Sequence, residues 1–314
     1  MTSSFLYRRA IPAAARITRW TASDGWALRR FDWPADGAAR GSILFCGGRG
    51  DIFEKYLELF AHWHSQGWGI TWLDWRGQGG SGRLTPDPHV GHISDFAIYI
   101  IDFAKFYAEW AAEATGPRVM MGHSMGGHLL LRAAVERVAD PDALVLVAPM
   151  LGLRNALGAA LGERLARMIG GLGNSARPAW KANEKPGGLE TRQALLTHDA
   201  ERYADEIWWQ DAHPEIVTGP PSWKWVIEGF ASTRALRQSP ALKTMRIPTL
   251  MLVPMADQLV DAKAAIGVAA KLPDCRVLRF GKEAAHEVLR EADSVRNRAI
   301  GEIDIFLASR AQRD

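Results

Sequence analysis

The sequence predicts an α/β protein built on a mostly parallel central sheet with helices on both faces. Three observations carry that prediction. Short apolar runs recur along the chain with amphipathic, helix-length stretches between them, the alternation that βαβ units produce. Several runs are continuous Val, Ile, Leu and Met rather than alternating, as strands covered on both faces must be. The 314 residues, 47% of them hydrophobic, supply enough apolar surface for one large domain with an insertion or for two domains.

In chain order, the candidate strands are Trp26 to Trp33, Ser42 to Cys46, Gly69 to Trp75, Arg118 to Gly122, Ala143 to Ala148, Thr249 to Val253 and Arg276 to Phe280. Between and after them, Phe53 to Gln66, Ser94 to Ala114, Met125 to Val138 and Glu291 to Leu307 repeat apolar residues at helical spacing. The rhythm breaks from about Leu151 to Pro240. There, helical stretches (Leu153 to Ile169, Arg192 to Trp209, Lys224 to Arg237) alternate with Gly- and Pro-rich segments, and no buried-strand run appears. The division expected is therefore a core of residues 1–150 and 241–314, with residues 151–240 as a helical insertion.

Composition excludes several classes. A net charge of +3, from 38 basic and 35 acidic residues, gives no clustered basic stripe of the kind nucleic-acid binding needs. Two cysteines, Cys46 and Cys275, make neither a disulfide framework nor a zinc site. The longest apolar run, Ala143 to Leu153, is broken by Pro149 and Gly152 and is too short to span a bilayer. Arg16 and Arg19 interrupt the amino-terminal apolar stretch before a leader's hydrophobic region builds up. The expected location is cytoplasmic, with peripheral contact at the inner membrane through the insertion; a periplasmic location is the alternative. The 13 Trp are unusual, and five of them (Trp180, Trp208, Trp209, Trp223, Trp225) fall in the insertion. Their amphipathic rings point to a lipid-like or aromatic substrate, and a large core is the plainer account. Between Arg154 and Arg192 the insertion also carries seven basic and three acidic residues.

The motif that carries chemistry is Gly122-His123-Ser124-Met125-Gly126-Gly127, placed where the strand RVMMG passes into the helix MGGHLLLRAAVERV. A serine at such a turn is pushed out of the sheet, at a helix amino end that favours developing negative charge. Its hydroxyl needs a base, and the base needs an orienting carboxylate. Asp257 follows the strand TLMLVP and His286 follows RVLRF. Both therefore fall at strand carboxyl ends, where open α/β sheets place their sites. The glycine-rich stretch after the strand SILFC, Gly47 to Asp51, and the amide of Met125 are candidate oxyanion donors. A literal G-x-G-x-x-G at Gly77 to Gly82 would suggest a dinucleotide site, but Pro86 and Pro88 oppose the helix that must follow. His62 and His64, or His89 and His92, lack an acid or thiol cluster for a metal.

With these residues in place, the chain resembles the α/β-hydrolase superfamily and, within it, the bacterial lysophospholipase and monoacylglycerol lipase branch grouped with serine aminopeptidases. The likeness runs through FCGGRGDIFEKY, LDWRGQGGSGR, GHSMGG, LTHDAERY, SWKWVIEGF, PMADQLVD and AAHEVLRE. It implies the α/β-hydrolase fold, oxyanion amides from Arg49 and Met125, and a helical cap over an acyl-chain pocket. It also accounts for RGQGGSGR as a loop of that branch. The chain departs from many of these lipases in having Cys46-Gly47-Gly48 where they begin the oxyanion loop with His-Gly. The expected function is a serine esterase acting through Ser124, His286 and Asp257 on single-acyl glycerolipids, without metal or organic cofactor. Trp223 and Trp225 are expected to line the acyl pocket. A small-ester esterase or peptidase on the same triad, or a noncatalytic ligand-binding member of the fold, are the alternatives.

Overall fold

The computed structural model describes residues 7–154, 159–180 and 192–310. Its strands are β1 (Arg16–Thr21), β2 (Ala27–Trp33), β3 (Gly41–Cys46), β4 (Trp68–Leu73), β5 (Arg118–His123), β6 (Ala143–Val147), β7 (Thr249–Pro254) and β8 (Cys275–Phe280). They form one sheet in the order β1-β2-β4-β3-β5-β6-β7-β8, with only the β1/β2 and β2/β4 pairs antiparallel. Every residue of β3, β6 and β7 is buried, as their unbroken apolar composition requires. The two faces carry separate aromatic-rich cores, one around Phe103, Phe106 and Trp110, the other around Phe45, Phe60 and Trp72.

The helices are α1 (Leu57–His64), α2 (Phe96–Glu113), α3 (Ser124–Val135), α4 (Ala159–Gly170), α5 (Arg192–Leu196), α6 (Ala200–Ala212), α7 (Trp223–Gln238), α8 (Ala262–Ala269) and α9 (Asp293–Arg310). Among the described residues, the chain between β6 and β7 forms helices, turns and isolated bridges but no strand of the sheet. The expected helix over 153–169 begins in the structure at Ala159, and residues 155–158 lie outside the described residues. Lys181, Glu184, Lys185 and Glu190, part of the expected basic count, also lie outside them.

Three expectations need correction. The stretch expected as one helix from Arg192 to Trp209 is two, because Asp199 caps α6 by accepting from the Arg202 amide and so ends α5 before it. Strand β1 is additional: five of its six residues are exposed, so it lacks the apolar run that marked the others. Helix α8 is also additional; its eight residues are too few to show a clear helical period, but Asp261 accepts from the Lys263 and Ala264 amides at its start.

After β3 the chain moves to β4 on one side, then returns to place β5 on the other side of β3. This reversal opens a crevice beyond the carboxyl ends of β3 and β5, where Cys46 and Gly122 are paired. The glycine-rich stretch and the GHSMGG turn leave the sheet at this crevice.

Candidate active site

Ser124 opens α3 directly after β5, with φ at 50°. A non-glycine residue in the left-handed region is strained and persists only where its surroundings force it. The glycines on either side explain how the turn closes. A Cβ at Gly122 would lie 2.7 Å from the Gly127 amide nitrogen, and one at Gly126 would collide with the Cys46 carbonyl. Gly48 packs against the serine itself, since a Cβ there would be 2.9 Å from Ser124 Cβ. The glycine-rich stretch and the helix start, where free N–H groups point outward, thus meet over one hydroxyl.

Within that stretch the Gly48 amide donates to Asp51 Oδ2 at 2.6 Å and the Gly50 amide to Gln78 Oε1 at 2.7 Å. Arg49 stands between them, its side chain donating to the Gly219 carbonyl at 2.7 Å and lying over the Trp225 ring. Met125 is buried one residue into α3, and both residues line the same cavity as Ser124.

Asp257 and His286 meet from the ends of β7 and β8, with 2.6 Å between Asp257 Oδ2 and His286 Nδ1. The other carboxylate oxygen accepts from the Leu259 and Val260 amides at 2.7 and 3.1 Å, so the Asp257 side chain is held at both oxygens. With Nδ1–H donating to the carboxylate, the His286 lone pair falls on Nε2. Burial pulls the His286 pKa down, but the charge and hydrogen bond of Asp257, with Glu287 and Asp51 beyond, raise it above the ordinary histidine value. Asp261, the other acid of this loop, is occupied as the cap of α8.

Ser124 and His286 open into one cavity of about 550 Å³, a size usual for small-molecule sites. Its wall is largely apolar. Leu165, Ala166 and Ile169 come from α4, and Trp223, Trp225 and Phe230 from α7; Arg49, Arg154 and Arg192 add basic groups. Trp180 also lines the cavity, whereas Trp208 is exposed and Trp209 packs away from it with its indole N–H on the Arg8 carbonyl.

The glycine-rich stretch from Gly77 to Gly82 forms a turn held by its own contacts. Gly79 and Gly82 adopt positive φ, and the Gly80 amide donates to buried Asp74, which also pairs with Arg29. No helix follows until Phe96. His62 meets Asp304, His64 the Pro34 carbonyl and His92 the Ser222 hydroxyl. Among the described residues no group of three or more His, Cys, Asp and Glu is placed to hold a metal ion.

Sequence reasoning singles out none of a group of charged residues at this cavity: Asp51 and Glu287 on its wall, and Lys55, Glu206 and Arg290 behind them. The one local signal concerns Lys55 alone, which sits between Phe53 and Tyr56, and all three are buried. Burial is opposed in each acid by neighbouring cations, so Asp51, Glu206 and Glu287 stay below the usual carboxylate range.

A strained serine at a strand-to-helix turn on a doubly wound sheet, with an acid-bonded histidine in the same cavity, places the chain among the α/β hydrolases. The sequence profile described as serine aminopeptidase, S33 matches residues 37–293, and the chain belongs to that family. It is 30% identical over 281 residues to lysophospholipase L2 of Escherichia coli strain K12, covering 84% of this chain and 79% of the relative. It is 25% identical to human monoglyceride lipase over 303 residues, 92% of this chain and 89% of that one. A soluble variant of monoglyceride lipase from Saccharomyces cerevisiae, solved with a substrate analog, shares the fold. Its TM-score is 0.74 at 17% identity, with 95% of this chain and 97% of that chain covered. The protein is thus a hydrolase of this fold.

Proposed function

We propose that the protein hydrolyses carboxylic esters of single-acyl glycerolipids, lysophospholipids or monoacylglycerols, through an acyl-enzyme on Ser124. The observation that carries the reading is the 2.6 Å contact of His286 Nδ1 with Asp257, which leaves Nε2 as the base in the cavity that Ser124 enters. His286 takes the serine proton as Ser124 Oγ attacks the ester carbonyl, and the Arg49 and Met125 amides receive the oxyanion. The imidazolium then protonates the departing glycerol oxygen. Water, deprotonated by His286, releases the fatty acid and restores the serine.

The residues 151–240 act as a cap whose apolar wall accepts one acyl chain. Each buried methylene contributes about 0.8 kcal/mol, so a long chain draws on this wall and an acetyl group does not. The basic side chains on the wall suit a phosphate-bearing head group, and the named activity of the Escherichia coli relative agrees with that choice.

The test is a panel of esters on wild type and on Trp223→Ala and Trp225→Ala. Trp225 is 4% exposed and packs edge-on against Phe96 at 5.5 Å, so its truncation also lowers stability, whereas half-buried Trp223 is the cleaner probe. Expected is a roughly tenfold fall in kcat/KM for a long-chain lysophospholipid or monoacylglycerol, with p-nitrophenyl acetate little changed. A parallel fall on both esters together with Tm would assign the tryptophans to packing alone, and a wild type active only on short esters or peptides would select the alternative substrates.

The same segment offers a lipid-facing surface. Leu161, Met168 and Ile169 of α4 and Leu172 just beyond are exposed, Leu172 at 70%, beside exposed Arg164 and Arg167. Since Ile169 also lines the cavity, this face adjoins it. Among the described residues no helix is long and apolar enough to cross a membrane. Met168→Ser/Leu172→Ser should reduce co-sedimentation with phosphatidylglycerol vesicles several-fold and leave p-nitrophenyl acetate turnover intact; unchanged sedimentation refutes the contact.

A further inference from the structure

Behind the cavity one ammonium joins three separate segments of the chain. Lys55 Nζ lies 2.7 Å from Asp51 Oδ1, 2.5 Å from Glu287 Oε1 and 3.3 Å from Glu206 Oε2. Asp51 closes the glycine-rich stretch after β3, Glu287 directly follows His286, and Glu206 stands on α6. None of these four side chains is more than 6% exposed. Arg192 and Arg290 pair with Glu206 at 2.7 and 2.8 Å, and Arg290 pairs also with Glu287. In these six residues three carboxylates face three cations.

Stability alone does not call for such a cluster, because apolar side chains of similar volume hold a core together as well or better. What directional charge pairs add is a fixed relative position for the segments they join. Asp51 shows the consequence. Its second oxygen accepts from the Gly48 amide at 2.6 Å and from the Tyr56 hydroxyl at 3.0 Å, and lies 2.7 Å from Nδ1 of His123. His123 immediately precedes the nucleophile, and Gly48 packs on it. Lys55 is therefore one carboxylate away from the stretch that carries Arg49 and one residue away from the base.

We infer that Lys55 is a positioning residue: through Asp51 and Glu287 its ammonium sets the oxyanion stretch against the His286 loop, and through Glu206 that setting depends on how α6 is seated. The inference rests on the serine-hydrolase reading above. Lys55 touches no reacting atom. Oxyanion donors act only when aimed in advance at the position the charged oxygen will occupy, so a small displacement lowers turnover while ground-state binding stays nearly unchanged.

The test compares Lys55→Met with the charge-balanced Lys55→Met/Glu206→Gln, which leaves two cations and two carboxylates in the cluster, with Arg290 still paired to Glu287 and Asp51 still beside His123. Each is assayed well below its own Tm with p-nitrophenyl acetate and a long-chain monoacylglycerol. Affinity is also measured for an alkylboronic acid, whose adduct with a serine hydroxyl is a tetrahedral anion with an oxygen in the oxyanion site. Expected is a fall in kcat of roughly 10- to 100-fold by the same factor on both esters, with KM within about threefold and the boronate Kd rising in step. A folded double variant whose kcat and boronate Kd stay within about threefold of wild type overturns the inference, even where Lys55→Met alone fails to fold. So does a change confined to KM. Failure of the underlying reading has a separate signature, a wild-type protein that a fluorophosphonate does not label at Ser124.

Discussion

Ser124→Ala should give a folded protein that neither turns over esters nor takes up a fluorophosphonate label. The substitution removes the only atom able to form the acyl-enzyme, and loss of the nucleophile in a serine hydrolase lowers turnover by roughly 10⁶-fold. The fold should survive because the strain at φ 50° belongs to the backbone and Cβ, which alanine shares. The neighbouring constraints, Gly48, Gly122 and Gly126, are untouched. Turnover within tenfold of wild type in purified Ser124→Ala would sink the mechanism.

The second large effect is expected of Asp257→Asn, with turnover reduced by about 10⁴, as the equivalent change does in another serine hydrolase. Asparagine can keep the hydrogen bonds from the Leu259 and Val260 amides through its carbonyl oxygen. Its NH₂ group then faces His286 Nδ1, and two donors cannot share that contact. The ring shifts to the tautomer with its proton on Nε2 and loses its function as base. The pH profile offers an independent check. His286 must be neutral to accept the serine proton, so kcat/KM should fall as pH drops through its pKa, with a midpoint above the ordinary histidine value because Asp257 favours the charged ring. In Asp257→Asn the residual activity should show a midpoint at lower pH. Asp261→Asn, which keeps a good helix cap, should be near normal; inactivity there and not at position 257 would reverse the assignment of the acid.

What could be read from the chain follows from how locally each feature is determined. The buried parallel strands announce themselves because both faces demand apolar residues, and the GHSMGG turn because its glycines flank the serine at fixed spacing, Gly122 meeting nearby Gly127 and Gly126 the distant Cys46 carbonyl. The pairing of Asp257 with His286 is foreshadowed by their places just past strand ends. Edge strand β1 is not, since RITRWT holds no run of apolar residues. The charged cluster was out of reach for another reason. Lys55, Glu206 and Glu287 are far apart in sequence, and nothing local says that a lysine beside Phe53 and Tyr56 will find carboxylates from two distant segments.

The pairing of β6 with β7 sets Leu144 beside Thr249 with the entire helical segment between them. Closing that loop is entropically expensive at the outset, but the penalty grows only with the logarithm of length, by about 0.6 kcal/mol for each doubling. A lineage can therefore lengthen, shorten or replace these helices while the sheet scarcely registers the change. The sheet thus constrains the inserted helices less than it constrains the turns at its own strand ends. The same loop weighs on the route to the folded state, because β7 and β8 join the sheet only after a long excursion of the chain, and such non-local pairing slows folding.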